Sequence, residues 1–308
     1  FLIVDGWHTV GTDFDHLVDS FNRIAADGLA AGKGVIVATE LEQALEGVRE
    51  CFSGHFGDAG ATVVVEEFLE GPECSLLALT DGTYVVPLAT AQDHKRAYDD
   101  DKGPNTGGMG VYSPVPFVTN EELSQMIAIE QRVVDQLKKE GINYSGCLYG
   151  GFMLTKDGPK VLEFNARFGD PETQVVLPRL EGDLVSILMA CDNGTLRHQQ
   201  VFWSDTVAVS VVLASAGYPG SYEKGKEITG IEAAQQLEGV SVYHAGTAQT
   251  EDGKIVTAGG RVLNVTALAP TFEEARARAY EACDLINFEG KQLRRDIGLK
   301  ALQGRPEK

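Results

Sequence analysis

Long apolar runs are missing from this chain: nothing in its 308 residues reaches the length of a membrane span. Basic charge is scarce as well. Lys and Arg number 26 against 45 Asp and Glu, a formal net charge of -19, so no basic surface exists for general binding of nucleic acid or an anionic membrane. Any anionic ligand must be held by a local group of cations. Paired cysteines are also absent. Cys51, Cys74, Cys147, Cys191 and Cys283 are odd in number and never spaced Cys-x-x-Cys, which argues against a disulfide framework or a zinc site and for buried thiols in a reducing compartment. Phe1-Leu2-Ile3-Val4 is too short for a signal-peptide core before Asp5 and Gly6. These absences predict a cytoplasmic protein with no nucleic-acid and no membrane partner. What is present, 43% hydrophobic residues over this length, suffices for about two domains with real cores.

Glycine turns, short β-rich runs and amphipathic helices alternate along the chain, which predicts an α+β protein. Val35 to Ala38 and Ala61 to Phe68 read as strands around a helix from Glu40 to Cys51 capped by Thr39. Residues 74–90 give two strands turned at Asp81-Gly82. The segment from Thr90 to Val118, rich in Asp, Gly, Pro and Asn, has no period of either kind and reads as a long functional loop. A helix from Glu121 to Glu140 follows, then a hairpin of Cys147–Leu154 and Lys160–Phe164, then a helix from Gly182 to Asn193. Strands dominate after Gly194: Thr206–Ala214, Val240–Ala248, Lys254–Thr257 and Arg261–Ala267. One helix from Thr271 to Ile286 starts on the capping box Thr271-Phe272-Glu273-Glu274.

The densest chemistry lies in Glu163-Phe164-Asn165-Ala166-Arg167-Phe168-Gly169-Asp170-Pro171-Glu172. Residues two apart in a strand share a face, so Glu163, Asn165 and Arg167 present a carboxylate, an amide oxygen and a guanidinium together. Hard oxygens suit Mg²⁺ and a guanidinium suits phosphate; an exposed polar strand face is the plain alternative. Gly32-Lys33-Gly34 offers backbone N–H groups and one cation to phosphates, without the Ser or Thr of a Walker loop. A simple glycine turn would look the same. The strand end Glu66-Glu67-Phe68-Leu69, with Glu73 beyond it, could hold an adenine edge and a ribose, or could be a solvated acidic tip. Asp93-His94-Lys95-Arg96 concentrates cations ahead of Asn105-Thr106-Gly107-Gly108, a backbone-donor loop able to clamp a small carboxylate or phosphate. His94 reads as a local structural partner, not a base.

Read in order, these segments resemble the ATP-grasp superfamily and, within it, the phosphoribosylamine glycine ligase family, also called glycinamide ribonucleotide synthetases. The resemblance rests on Arg167-Phe168-Gly169-Asp170-Pro171-Glu172-Thr173-Gln174, on Gln92 to Arg96 with Pro104 to Gly110, and on Ala245-Gly246-Thr247, Gly259 to Val262 and Arg294 to Gly298. It runs from about Ala26 to Leu302. The fold it implies is an ATP-grasp fold of two α+β subdomains followed by a smaller β-rich C-terminal domain: 1–24 outside the family pattern, 25–72 the small lid subdomain, 73–194 the large subdomain with the metal site, 195–308 the C-terminal domain.

By this resemblance the cofactors are ATP and Mg²⁺ or Mn²⁺, and the small-molecule substrates are glycine and phosphoribosylamine, joined to give glycinamide ribonucleotide, ADP and phosphate. Gly32, Lys33 and Gly34 would touch ATP phosphates. Glu66, Glu67, Phe68 and Leu69 would hold adenine and Glu73 the ribose. Glu163 and Asn165 would bind metal, with Arg167 and Lys95 as catalytic residues on the transferring phosphoryl group. Asp93, Asn105, Thr106, Gly107, Gly108 and Arg261 would bind substrate, Arg261 by analogy with related purine enzymes. Gly150 stands thirteen positions before Glu163, where wider ATP-grasp enzymes place another acid, so two protein ligands are expected. Relatives begin with a further domain carrying a glycine-rich βα turn, and they have a lysine where this chain has Ala25. The chain is expected to lack that domain and the extra catalytic domains of eukaryotic relatives, and to be a monomer or homodimer. A truncated ATP-binding relative without turnover and another ATP-grasp carboxylate–amine ligase are the alternative readings.

Overall fold

The computed structural model describes residues 41–53 and 67–305. The expected strand Val35–Ala38, the Thr39 cap, Gly32, Lys33, Gly34, Ala25 and Glu66 lie outside the described residues. A helix spans Leu41–Phe52. Glu67 and Phe68, the described end of the expected strand Ala61–Phe68, join no ladder.

The chain divides into two compact units: Phe1–Pro87 with Asn120–Phe168 and Ile187–Gln199, and Leu88–Thr119 with Gly169–Ser186 and Gln200–Lys308. The first unit holds an antiparallel sheet in the order β2-β1-β7-β8, made of β1 (Glu73–Thr80), β2 (Val85–Pro87), β7 (Gly146–Thr155) and β8 (Gly158–Asn165). The β1–β2 turn forms because Asp81 Oδ1 accepts from the Thr83 and Tyr84 N–H groups at 3.0 and 2.9 Å, while Gly82 takes a φ of 82°. Helix Asn120–Lys139 carries Glu121 and Glu122 in its first turn and Lys138 and Lys139 in its last, as the helix dipole favours. Its apolar face buries Met126, Val134 and Leu137, and Val134 packs with Leu148 of β7 and Phe164 of β8.

The second unit is built on a five-stranded sheet in the order β12-β15-β11-β6-β3. Its strands are β3 (Gln92–Asp93), β6 (Gly110–Ser113), β11 (Val207–Ala214), β12 (Val240–His244) and β15 (Arg261–Ala269). β11 is buried along nearly its whole length, reading Val-Ala-Val-Ser-Val-Val-Leu-Ala, because helix Phe272–Leu285 covers one of its faces. That helix starts where the capping box placed it: Thr271 Oγ1 accepts from the Glu274 N–H at 3.2 Å. Two-stranded pieces complete the unit: β4 (Arg96–Tyr98) with β5 (Lys102–Asn105), β9 (Leu180–Glu181) with β10 (Phe202–Trp203), and β13 (Thr247–Gln249) with β14 (Ile255–Thr257).

Two expectations need correcting. Residues 90–118 are not a plain loop, since they contain β3 to β6; Gln92 and Asp93 pair with Tyr112 and Val111. Pairings this short leave no periodicity to read. Val240–Ala248 is two strands, because Ala245 and Gly246 turn back to donate to Val262 O and Arg261 O at 3.0 and 2.9 Å. The compact units interleave along the chain: 88–119 and 169–186 pack with the residues after 200, and β6 hydrogen-bonds onto β11.

Candidate functional site

Register on the first sheet decides which side chains share a surface. β7 opposes β8 at Gly151↔Glu163 and Tyr149↔Asn165, and opposes β1 at Glu73↔Met153 and Ser75↔Gly151. Opposed residues of antiparallel strands lie on one face, as do residues two apart along a strand. Glu73, Ser75, Tyr149, Gly151, Glu163 and Asn165 therefore occupy one face. Leu148, Gly150 and Phe164 occupy the other, against helix Asn120–Lys139. Ser75 and Tyr149 hydroxyls bond across the first face at 2.9 Å.

The register shift after Gly151 makes Leu162 the extra residue of β8, one position before Glu163. Gly151 is small for a reason: a Cβ there would lie 3.1 Å from Glu163 Cγ. Glu163 is half-buried and Asn165 buried, while Arg167 is exposed and donates from Nη1 to Phe168 O at 3.1 Å. One carboxylate and one amide oxygen on a shared face form a donor set suited to a hard cation. No group of three His, Cys, Asp or Glu side chains placed to hold a metal occurs among the described residues.

On the second unit three sequence motifs meet at one guanidinium. Arg261, the first residue of β15, donates from Nη1 to Gly107 O at 2.7 Å and to Asp170 O at 2.8 Å, and from Nη2 to Asp170 Oδ2 at 3.0 Å. Gln174 holds the other carboxylate oxygen, Nε2 to Asp170 Oδ1 at 2.9 Å. Each residue of Gly169-Asp170-Pro171-Glu172-Thr173-Gln174 has a local contact, Thr173 donating from Oγ1 to Gly169 O at 2.5 Å. Gly169 leaves room for the Glu172 carboxylate, which a Cβ would meet at 2.4 Å. Pro171 packs where a Cβ on Gly108 would stand, 2.6 Å away, and Gly108 itself has a φ of 113° that favours glycine.

The basic segment and the glycine loop are tied backbone to backbone. Thr106 donates to Lys95 O through both N–H and Oγ1, at 2.7 and 2.8 Å, and its Oγ1 accepts from Gly108 N–H at 3.0 Å. His94 and Met109 bond in the same way: His94 N–H to Gly110 O and Met109 N–H to His94 O, both 2.8 Å. His94 is buried, its Nδ1–H faces Gly110 O at 3.2 Å, and burial with the Lys300 and Arg294 charges pushes its pKa down to about 3. It is neutral at physiological pH, as a structural histidine would be.

The structure therefore groups Glu73, Glu163 and Asn165 on one sheet face, and Asp93, Lys95, Asn105, Thr106, Gly107, Gly108 and Arg261 around one loop cluster. Glu67 accepts from Lys160 Nζ at 2.7 Å, and Phe68 is exposed. Sequence reasoning missed Tyr218, whose hydroxyl accepts from Gly107 N–H at 3.1 Å. Gly260 was the available signal, since a Cβ there would strike the Tyr218 ring at 2.3 Å. It also missed Glu130, buried behind Gly150.

Fold and site together define an ATP-grasp protein. The ATP-grasp (A) domain model of phosphoribosylglycinamide synthetase matches residues 12–173, and the C-domain model matches 208–300. The chain belongs to the phosphoribosylglycinamide synthetase family. The first match begins at residue 12, so it takes in half of the stretch set apart above as lying outside the family pattern. The trifunctional purine biosynthetic protein adenosine-3 of Gallus gallus is 52% identical over 282 residues, 91% of this chain and 28% of its own. The phosphoribosylamine–glycine ligase of Brucella melitensis is 48% identical over 281 residues, 91% of this chain and 66% of its own. A solved phosphoribosylamine–glycine ligase from Thermotoga maritima superposes with a TM-score of 0.77 at 36% identity, covering 92% of this chain and 71% of that one. The chain thus spans between about a quarter and two thirds of the length of the curated relatives it matches. No described helix is long and apolar enough to cross a membrane.

Proposed function

We propose that this chain carries the ATP-grasp and C-terminal parts of a phosphoribosylamine–glycine ligase, joining glycine to 5-phosphoribosylamine at the expense of ATP. The observation that supports it most is the shared face of Glu73, Glu163 and Asn165, opposite a core-packed helix. Names carried by the relatives supply the substrate pair. The linear succession of a lid at 25–72, a large subdomain at 73–194 and a C-terminal domain at 195–308 is part of the same proposal.

Glycine's carboxylate resists attack by an amine because oxide is a poor leaving group, so it must first take the γ-phosphoryl group of ATP. Its oxygen attacks phosphorus, and ADP leaves. The amine nitrogen of phosphoribosylamine then attacks the acyl carbon, phosphate leaves, and the nitrogen loses a proton. Such transfer depends on positioning and charge neutralisation more than on acid–base groups. Glu163 and Asn165 would hold Mg²⁺ or Mn²⁺, the shell completed by phosphates and water. That ion, when bound, neutralises charge on the β- and γ-phosphates. Arg167 and Lys95 would neutralise the phosphoryl oxygens, and Lys33 with its glycines would hold the ATP phosphates. Backbone groups of Glu66 to Leu69 would take adenine and Glu73 both ribose hydroxyls. Asp93 would face the amine, the 105–108 loop the small anion, and Arg261 the sugar phosphate. A cytoplasmic site and a monomeric or homodimeric state complete the reading.

Glycine-dependent ADP release in the presence of phosphoribosylamine tests it directly. Turnover is expected with glycine and not with bicarbonate or formate. ATP binding without ADP release would leave a non-catalytic nucleotide-binding protein, the alternative that Ala25 raises. Mg-ATP at a hundred times its Kd should add about 2.7 kcal/mol of stability; no thermal shift at all would refute both readings.

A further inference from the structure

Tyr218 sits at the glycine loop with half of its hydrogen-bonding capacity spent. A phenol oxygen can accept while its hydrogen donates. Here the oxygen accepts from Gly107 N–H at 3.1 Å, and among the described residues no group accepts the hydrogen. The ring cannot easily swing elsewhere. It lies against Gly260, where a Cβ would meet Cδ2 at 2.3 Å, and its backbone is held by Tyr218 N–H to Ser215 O at 3.1 Å. Ser215 in turn donates from N–H to Gly260 O at 2.8 Å and from Oγ to Gly259 O at 2.9 Å.

Gly107 links this phenol to a guanidinium. Its N–H goes to Tyr218 and its carbonyl accepts from Arg261 Nη1. Gly107 is exposed and Tyr218 half-buried, so the unspent O–H lies on a surface that ligands can reach. We propose that the Tyr218 hydroxyl donates to an anionic oxygen of the substrate, in the subsite that Arg261 and Gly107 build. This rests on the ligase reading above. A neutral donor beside a guanidinium recognises a phosphate monoester or a carboxylate, and bonds to charged acceptors are the strong ones. A guanidinium fork fits either anion, and the sugar phosphate is the one that the ligase reading gives to Arg261.

Tyr218→Phe keeps the ring against Gly260 and removes only the hydroxyl. Calorimetric titration of the intact chain with ribose 5-phosphate, inorganic phosphate and glycine should show about tenfold weaker binding of the two phosphates, with glycine unchanged. A drop for glycine alone would move the donor to the carboxylate, still as an anion ligand. Direct contact also predicts a tyrosine ultraviolet difference signal on adding ribose 5-phosphate, lost in Tyr218→Phe. A merely structural tyrosine, holding Gly107 in place, would give no such signal. Unchanged affinities for all three anions, a signal that survives in the variant, or no anion binding by the unsubstituted chain would each overturn the assignment. A retained Mg-ATP thermal shift in the variant shows that it folds. Should the chain show no ligase turnover while Tyr218→Phe still weakens ribose 5-phosphate, the ligase reading fails and the phenol's role stands.

Discussion

Asp170 shows how a signature residue can matter without touching a reacting atom. Its carbonyl and one carboxylate oxygen take Arg261 and its other carboxylate oxygen takes Gln174, so removing the side chain leaves the guanidinium held by the Asp170 and Gly107 carbonyls alone, without its charge partner. Both side chains keep some solvent access, which limits the ion pair to about 1 kcal/mol of stability. Asp170→Ala should therefore leave the melting temperature within a few degrees while kcat/KM for phosphoribosylamine falls at least about tenfold, because misplacing a binding group costs more in rate than in folding. A proportionate loss of stability and activity would mean that the knot is only structural. Glu163→Ala belongs to the same scale. It should raise the Mg²⁺ concentration needed for half-maximal ATP binding about tenfold or more, read by titration of the metal; unchanged metal dependence would remove Glu163 from the ligand set.

Among elements, the short strand pair β4–β5 is the piece most dependent on distant sequence. Its anchor is Arg294, fully buried, which donates to both oxygens of Asp296 at 2.8 and 2.6 Å, to Arg96 O and to Asp101 Oδ1, both at 3.0 Å. Lys300 closes the group on Asp101 Oδ2 at 2.7 Å, and Asp296 Oδ2 accepts from Asp100 N–H at 3.0 Å. Burial works against these charges, but the guanidinium and the Lys300 ammonium hold the Asp101 carboxyl below the usual carboxylate range. Arg294→Met takes the guanidinium from the exposed Asp101 and half-buried Asp296 carboxylates and from the Arg96 carbonyl, and should cost about 1–3 kcal/mol, with faster amide exchange over 96–105. A stability change below 1 kcal/mol would show that water replaces the guanidinium.

This network also marks what the sequence could and could not reveal. The hairpin of β7 and β8 and the helix after Thr271 were legible, since period, turn residues and a capping box agree locally. Residues 90–118 were not, because their strands are two to four residues long and are fixed by partners such as Val211 and Arg294, a hundred or more positions away. The shared face of Glu163 and Asn165 could be read from Glu-x-Asn, by the two-residue period. Tyr218 could not, since only packing against Gly260 brings its hydroxyl to Gly107.

At the scale of the molecule, Glu130 in the first unit and His94 in the second pull stability in opposite directions with pH. Glu130 lies in the first unit, 0% exposed, and neither carboxyl oxygen has a hydrogen-bond partner. Burial drives its pKa well above the ordinary range, and the nearby Gly150 amide, short of hydrogen-bond geometry, offsets only part of that. A raised folded pKa means stability present below about pH 4.3 and lost as pH rises toward the folded value. His94, in the second unit, is the reverse case: its folded pKa of about 3 lies below an unfolded value near 6.5, so stability is lost as pH falls between those limits. Asp101 and Asp296, both lowered, add to that loss below about pH 4. From pH 7 to 5 the two effects oppose each other, each by up to about 1.4 kcal/mol per unit. Hydrogen exchange by peptide, corrected for intrinsic rates, should show protection rising over 126–137 and falling over 109–113 across that interval. Glu130→Gln should flatten the first trend alone and His94→Asn the second alone. Parallel trends in both regions, or either variant flattening both, would show that the pH response arises from the overall charge and not from these two buried groups.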